Sequence, residues 1–288
     1  MKKLTHIFKS YLLTKTFFGR YLISWFENKH KNIPLDDLQK KILFEIQTNG
    51  ISINHLNNFL NKEDLEKLYL KVNEKIKENP LPSTKQFLEY FVGGFFPKEK
   101  QKFNYKDEFH RFSINEKLLA IVSNYLKTPS KLCYIELNKS LINPNLKKQL
   151  SQKYHRDPGI NKCLKIFIYF NDVDYNSGPF TYIPKSNING TLNHIVPNRK
   201  LNKGSYYPSN SELEDLIKVD HLECTGKKGT IVFCDTTGWH FGGNSISSQR
   251  VMSTFVYYPF YENIKSRLFY PKNNVNNISS LQKSFLRI

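Results

Sequence analysis

Hydrophobic positions follow two different patterns along the chain, and the change falls near residue 131. Before it, apolar residues recur every three or four positions, which predicts helices over residues 36–47, 61–78 and 114–127. After it, short apolar runs rich in Val, Ile, Phe and Tyr are separated by turn residues, which predicts strands. The runs are KLCYIEL, KCLKIFIYF, GPFTYIP, GTIVFCD and RVMSTFVYYPF. No long helical pattern separates them, so an antiparallel sandwich or barrel is favoured over a parallel sheet.

Polar residues and prolines mark the ends of the predicted helices. Asn61 stands before acidic residues and can cap the helix that starts there, and Pro80 ends that helix. Asn49 and Gly50 predict a turn that leads into a short strand. Residues 83–112 are aromatic and show no clear period, so we expect irregular structure there.

The whole pattern predicts a mainly β protein with a helical N-terminal third. Residues 1–30 place apolar side chains at near-helical spacing with basic residues between them, and such a segment can lie on an anionic membrane surface. Amphipathic helices more often dock on their own domain or form an oligomer contact, and both alternatives stay open. We expect one domain after this segment, divided into a helical part, a β core and a C-terminal extension: residues 31–130, about 131–260 and 261–288.

Charge and cysteine content narrow the class of protein. The 288 residues carry a net charge of +18, which favours phosphates, anionic lipids or acidic substrates as partners. The basic residues are spread along the chain, so nucleic-acid binding is not expected. The four cysteines form no CxxC pair, which is typical of reduced thiols in a cytoplasmic protein. We find no apolar stretch of about 18 residues and no signal-peptide pattern, so the expected location is cytoplasmic, with membrane contact only at the periphery.

Two short motifs carry candidate chemistry. His155 and Asp157 in YHRD are two positions apart, so a strand would direct both side chains to one face, although this spacing also arises by chance. His240 lies in a glycine-rich corner after an apolar strand, and Arg250 begins the next strand. A guanidinium that enters a strand with a buried face needs an anionic partner. The other histidines are interpreted as surface or packing residues: His6, His30, His55, His110, His194 and His221.

Two imidazoles and one carboxylate form the facial ligand set that suits non-haem Fe(II) and leaves coordination positions open. Oxygen chemistry needs those positions for O2 and a bidentate co-substrate, and Arg250 offers a fork for the far carboxylate of a dicarboxylate. A zinc hydrolase can use the same three ligands, but it would want a separate general base and would not need the arginine. A metal-binding β barrel that acts as an isomerase or a binding module is the other alternative.

Three blocks resemble the phytanoyl-CoA dioxygenase family of Fe(II)/2-oxoglutarate oxygenases. They are YHRD at 154–157, KIFIYFNDVDYNSGPFTYIPKSN at 165–187 and GTIVFCDTTGWHFGGNSISSQR at 229–250. The similarity extends over about residues 45–260. The middle block departs from the family's IPGSH-like run, because it reads Ile-Pro-Lys-Ser-Asn at 183–187.

The resemblance implies a double-stranded β-helix, also called a jelly roll or cupin-like core, flanked by helices. It implies that His155, Asp157 and His240 bind Fe(II) and are the catalytic centre, and that Arg250 binds 2-oxoglutarate. Phe167 falls where the family often has an aromatic residue in the co-substrate pocket. By strand alternation Lys165 and Tyr169 share its face, and Phe167 and Lys165 are therefore candidate co-substrate-binding residues. Ordinary packing or surface placement of these three residues is at least as good an interpretation.

The implied reaction is oxidative decarboxylation of 2-oxoglutarate to succinate and CO2, coupled to hydroxylation of a small-molecule or lipid-like substrate. The basic charge of the chain favours an anionic substrate. Halogenating relatives have a small residue at the position of Asp157, so the carboxylate favours hydroxylation. The loops expected to select the substrate are 83–112, 141–153, 188–228 and 262–288.

Overall fold

The computed structural model describes most of the chain after residue 31. The described residues are 32–78, 89–92, 101–140, 150–157, 162–195, 207–260, 266–270 and 278–286, with isolated positions at 19, 22, 142, 144, 145, 148, 262 and 264. The predicted amphipathic segment 1–30 therefore lies almost wholly outside the described residues.

A six-stranded antiparallel sheet forms the larger layer, in the order β1-β8-β5-β10-β4-β2. A three-stranded antiparallel sheet, β7-β6-β9, forms the smaller layer, and β3 and β11 make a short parallel pair. The strands are β1 Ile51–His55, β2 Glu89–Val92, β3 Gln101–Lys102, β4 Ser130–Ser140, β5 Leu164–Tyr169, β6 Phe180–Tyr182, β7 Leu222–Cys224, β8 Thr230–Cys234, β9 His240–Gly242, β10 Val251–Pro259 and β11 Leu268–Phe269. The predicted architecture, mainly β with helices beside it, is confirmed.

The described helices begin and end at recognisable caps. They are α1 Asp37–Asn49, α2 Lys62–Glu78, α3 Glu108–Phe112, α4 Glu116–Leu126, α5 Asn210–Ile217 and α6 Ser280–Leu286. Asp36 caps α1 with a reciprocal bond to Gln39, and Gly50 ends the helix in the left-handed region at φ 78°. The Asn61 side chain accepts a hydrogen bond from the backbone of Asp64 at 2.9 Å, so the predicted cap of α2 is confirmed.

The larger sheet separates two clusters of buried side chains. On its outer face, alternate strand residues such as Ile166, Ile168 and Phe255 pack against the helices. On its inner face, Phe167 and Tyr169 pack against Phe180 and Tyr182 of the smaller sheet. Because strand residues alternate between faces, the apolar outer face fixes which residues of β5 point inward. The inner face thus holds the side chains that surround the candidate site.

Several short elements lie where the sequence showed no period. The region 83–112, expected to be irregular, contains β2, β3 and α3, and the expected loop 188–228 contains α5 and β7. Strands of two to four residues are too short for alternation to be visible, which explains why they were missed. All four cysteines are buried with free thiols, as predicted. Within the described residues, every helix is too short or too polar to cross a bilayer.

Candidate active site

His155 and His240 lie side by side at one edge of the smaller sheet. The backbone N–H of His155 donates to the carbonyl of His240 at 3.0 Å, and the reverse hydrogen bond is 3.1 Å long. These two bonds extend the sheet beyond β9 by one residue pair and bring the imidazole centroids to 4.2 Å from each other. The two histidines therefore meet through main-chain pairing, although they are distant in the sequence.

Each imidazole donates a hydrogen bond to a backbone carbonyl oxygen, which fixes the orientation of the ring. Nδ1 of His155 lies 2.8 Å from the carbonyl oxygen of Lys153, and Nδ1 of His240 lies 2.9 Å from that of Gly238. A carbonyl only accepts, so the proton of each neutral ring is on Nδ1 and the lone pair is on Nε2. Burial lowers the pKa of both histidines, that of His240 to about 3, which keeps the rings neutral. Neutral rings with free Nε2 atoms are the form that binds metals.

Asp157 completes the group from the loop after His155. Its backbone N–H donates to the carbonyl of Thr236 at 2.9 Å, which ties this loop to the segment before β9. Its Oδ2 lies 3.7 Å from Nε2 of His240, and one donor atom of each of the three residues lies within 4.8 Å of the others. Two neutral imidazoles and a carboxylate at this spacing fit a non-haem Fe(II) ion facially.

Lys165 of β5 points inward and reaches the same carboxylate. Its Nζ lies 2.5 Å from Oδ2 of Asp157, and both side chains are 11% exposed. Burial alone would raise the pKa of Asp157, but Lys165 and the two imidazoles lower it below its usual range. The carboxylate in turn raises the pKa of Lys165 against the opposing effect of burial. The two residues thus form a charged pair inside the protein.

Arg250 lies at the opposite end of the same inner face. The side chain is 2% exposed, and its Nη1 donates to the carbonyl oxygen of Gly178, just before β6. The Arg250 backbone N–H donates to Oγ of Ser140 at 2.7 Å, which fixes the start of β10 against β4. Gly178 has φ 70°, and a Cβ there would lie 2.4 Å from the carbonyl oxygen of Gly243, so this position requires glycine.

Aromatic side chains lie between the triad and Arg250. Phe167 is 5% exposed, and its ring centroid lies 4.3 Å from that of Phe180, which lies 5.6 Å from the ring of His240. The Tyr169 hydroxyl accepts a hydrogen bond from the backbone of Phe180 at 3.1 Å. The inward orientation expected for the three β5 side chains is therefore observed. Phe167 and Tyr169 wall the inner face, whereas Lys165 lies at its metal-ligand end.

Arg156, between two of the candidate ligands, points away from them. Its guanidinium lies 4.8 Å from the Trp239 ring, and Nη1 donates to Oδ1 of Asn193 at 2.7 Å. Arg156 is 4% exposed, and these contacts are those of a structural residue.

Among the described residues, the other histidines are not part of the three-residue ligand group. His55 contacts the carbonyl of Lys228, His110 is buried between α3 and the chain before it, and His221 bonds to the hydroxyl of Tyr154. Their interpretation as packing and surface residues fits these contacts.

The sequence predicts that Lys165 lies beside the co-substrate, but it does not predict the contact of Lys165 with Asp157. A lysine inside the apolar run KCLKIFIYF was the available signal, because a buried ammonium requires a partner. Two further contacts near the site were also missed. The ring of Tyr207 lies 6.2 Å from that of His155, and Arg267 forms a 3.0 Å ion pair with Glu136 on β4.

Comparison with solved structures identifies the class of fold. The epimerase SnoN in complex with Fe3+, alpha ketoglutarate and nogalamycin RO is 13% identical, with a TM-score of 0.54 over 77% of this chain and 84% of that chain. The non-haem alpha ketoglutarate dependent carbocyclase SnoK, from nogalamycin biosynthesis, is 14% identical, with a TM-score of 0.55 over 77% and 85%. EctD from S. alaskensis, with 2-oxoglutarate and 5-hydroxyectoine, is 12% identical, with a TM-score of 0.51 over 80% and 78%.

At these identities the likeness establishes the fold alone, which is a double-stranded β-helix. No protein-family model matches the sequence, and no curated protein sequence matches it either.

Proposed function

We propose that this protein is an Fe(II)- and 2-oxoglutarate-dependent dioxygenase that hydroxylates a small molecule and releases succinate and CO2. One observation carries the proposal: the inner face has a three-residue metal-ligand set at one end and a buried arginine at the other. Arg250 bonds to Gly178, which lies against Gly243, three residues after His240 in the smaller sheet. At about 3.3 Å per residue, the two ends of the site are therefore roughly 10 Å apart along the strand. A five-carbon dicarboxylate can bridge that separation.

Different residues would bind the metal and the co-substrate. His155, Asp157 and His240 would hold the iron, which when bound supplies the oxidation chemistry with O2 and 2-oxoglutarate. Arg250 would bind the far carboxylate of 2-oxoglutarate through its planar fork, while Phe167 would line the pocket between the two ends. The aromatic walls exclude water from this path, which strengthens each charged contact.

Solved structures with the same fold support 2-oxoglutarate as the co-substrate, and their names cover more than one type of reaction. Those of SnoN and EctD hold alpha ketoglutarate or 2-oxoglutarate, and that of EctD also holds a hydroxylated compound. SnoN is called an epimerase and SnoK a carbocyclase, so the fold serves several outcomes. We favour hydroxylation over halogenation here because Asp157 supplies a third protein ligand in place of a halide. The three motif blocks further support a divergent membership of the phytanoyl-CoA dioxygenase family.

Anaerobic titration with Fe(II) and 2-oxoglutarate tests the proposal directly. We expect a metal-to-ligand charge-transfer band with the native protein and none with His155→Ala. Arg250→Leu should keep metal binding but weaken 2-oxoglutarate binding by a factor of about 100, since a charge-assisted bidentate contact is worth roughly 3 kcal/mol. Succinate release on addition of O2 should follow the same order.

Arg111→Leu serves as the matched control, because Arg111 is exposed on α3. It should bind 2-oxoglutarate like the native protein. Metal binding without a charge-transfer band would contradict the proposal and favour a metal-binding module or isomerase instead.

A further inference from the structure

The contact between Lys165 and Asp157 places a positive charge beside the candidate metal position. The Asp157 oxygen that faces His240 at 3.7 Å is the same oxygen that Lys165 holds at 2.5 Å. A cation bound by His240 and this carboxylate would therefore lie close to the ammonium. Both side chains of the pair are 11% exposed, so water screens this repulsion only weakly.

Charge balance shows what the ammonium does at each stage. Without metal, the charges of Asp157 and Lys165 cancel, and each imidazole donates from Nδ1 to a backbone carbonyl, which leaves Nε2 as the metal-binding atom of a neutral ring. A divalent metal adds two positive charges beside the ammonium, which opposes binding. A dianionic co-substrate then offsets the two charges of the metal and is attracted by the ammonium as well as by Arg250.

We propose that the Lys165 ammonium shifts the two affinities of this site in opposite directions. It weakens the site for the metal alone and strengthens the metal-loaded site for the dianion. Lys165 is thus a positioning and charge-balancing residue at the metal end of the site. The inference rests on the proposed function, since it takes 2-oxoglutarate as the second ligand.

Calorimetric titration of the full chain tests both effects without turnover. Mn2+ is titrated into metal-free protein, and 2-oxoglutarate is then titrated into the Mn2+-loaded protein, at one constant pH. We expect Lys165→Met to bind Mn2+ roughly tenfold more tightly and 2-oxoglutarate roughly tenfold more weakly than the native protein.

Lys131→Met is the matched control. Lys131 is also a buried lysine of the larger sheet, but its Nζ donates to the carbonyl oxygens of Glu262 and Ile264 at 2.9 and 2.8 Å. This variant should leave the affinities for Mn2+ and 2-oxoglutarate within about twofold of the native values, since the ammonium it removes bonds to other groups than Asp157. If Lys165→Met does not fold, Lys165→Gln keeps a hydrogen-bond donor to Asp157 without the charge and should show the same two shifts.

The outcomes separate this inference from the proposed function. Unchanged or weaker Mn2+ binding in the folded Lys165 variant would overturn this inference and leave Lys165 with an orienting role alone. Native protein that fails to bind 2-oxoglutarate in the presence of Mn2+ would instead overturn the proposed function itself.

Discussion

At the scale of single residues, His110 shows how burial changes the chemistry of an ordinary side chain. It is 4% exposed, its ring lies 5.2 Å from that of Phe103, and its Nδ1 accepts a hydrogen bond from the backbone of Asn104 at 2.8 Å. Burial lowers its pKa to about 4, although the nearby Asp107 acts in the opposite direction. The fold therefore holds this imidazole neutral at a pH where the unfolded chain would protonate it.

This difference predicts acid lability. Because the folded pKa is about 4 and the unfolded value 6.5, the unfolded state binds the extra proton and stability falls as pH drops from 6.5 towards 4. The loss attributable to His110 is about 3 kcal/mol over that window, at 1.36 kcal/mol per pKa unit. Urea unfolding at several pH values measures it.

His110→Asn keeps an acceptor in the place of Nδ1 and should flatten the pH dependence. The matched control is His194→Asn, which changes a histidine on the surface and should leave the slope as it is in the native protein. Equal slopes for native protein and His110→Asn would contradict the assignment.

At the scale of elements, a buried hydrogen bond joins the helical layer to the end of β8. The hydroxyl of Tyr125 in α4 donates to Oδ2 of Asp235, which is 0% exposed. The other carboxylate oxygen accepts from the backbone and hydroxyl of Thr237 at 3.0 and 2.7 Å. Thr237 lies three residues before His240, so this bond fixes the corner that carries a candidate ligand.

Removal of the Tyr125 hydroxyl should destabilise the protein more than removal of the buried hydroxyl of Tyr257. We expect Tyr125→Phe to cost about 2 to 3 kcal/mol of unfolding free energy, since the bond to a buried charged group is lost. Tyr257→Phe is the matched control, because its hydroxyl donates to the neutral carbonyl of Ser113 at 2.5 Å and should cost about 1 kcal/mol. Chemical denaturation of both variants measures the difference, and equal costs would contradict the role assigned to Asp235.

Long elements could be predicted from the sequence, whereas short ones could not. Strands β5, β8 and β10 are continuous apolar runs, and α1, α2 and α4 carry full helical periods with caps, so local pattern was sufficient. Strand β9 has three residues and depends on pairing with β6, which local pattern does not encode. The three candidate ligands could be named from local motifs. The contact between Lys165 and Asp157 joins two segments that are apart in the sequence, so it could be recognised only in the folded structure.

At the scale of the whole molecule, charge is the property most open to test. The net charge of +18 is spread over the chain, and residues 1–30 combine basic and apolar side chains. Segments of this composition can bind anionic bilayers through both electrostatic attraction and apolar insertion, and we expect this of residues 1–30. A peripheral membrane location would bring the site close to lipid-like substrates.

We expect the full chain to co-sediment with vesicles that contain phosphatidylserine, and to do so less at high salt. A chain that lacks residues 1–30 should bind these vesicles at least several-fold more weakly, because it loses the apolar contribution as well as charge. Vesicles of phosphatidylcholine alone are the control for charge. Equal binding by both chains would show that the segment has another role.

The pair of main-chain hydrogen bonds between His155 and His240 has a consequence for how this site tolerates mutation. Every residue except proline offers the same peptide N–H and C=O groups, so the bonds that bring the two imidazoles together survive almost any side-chain substitution around them. A chain can therefore exchange most of its surrounding residues and still keep its ligands in place. Sequence drift would erase detectable sequence similarity long before it moved the candidate ligands apart.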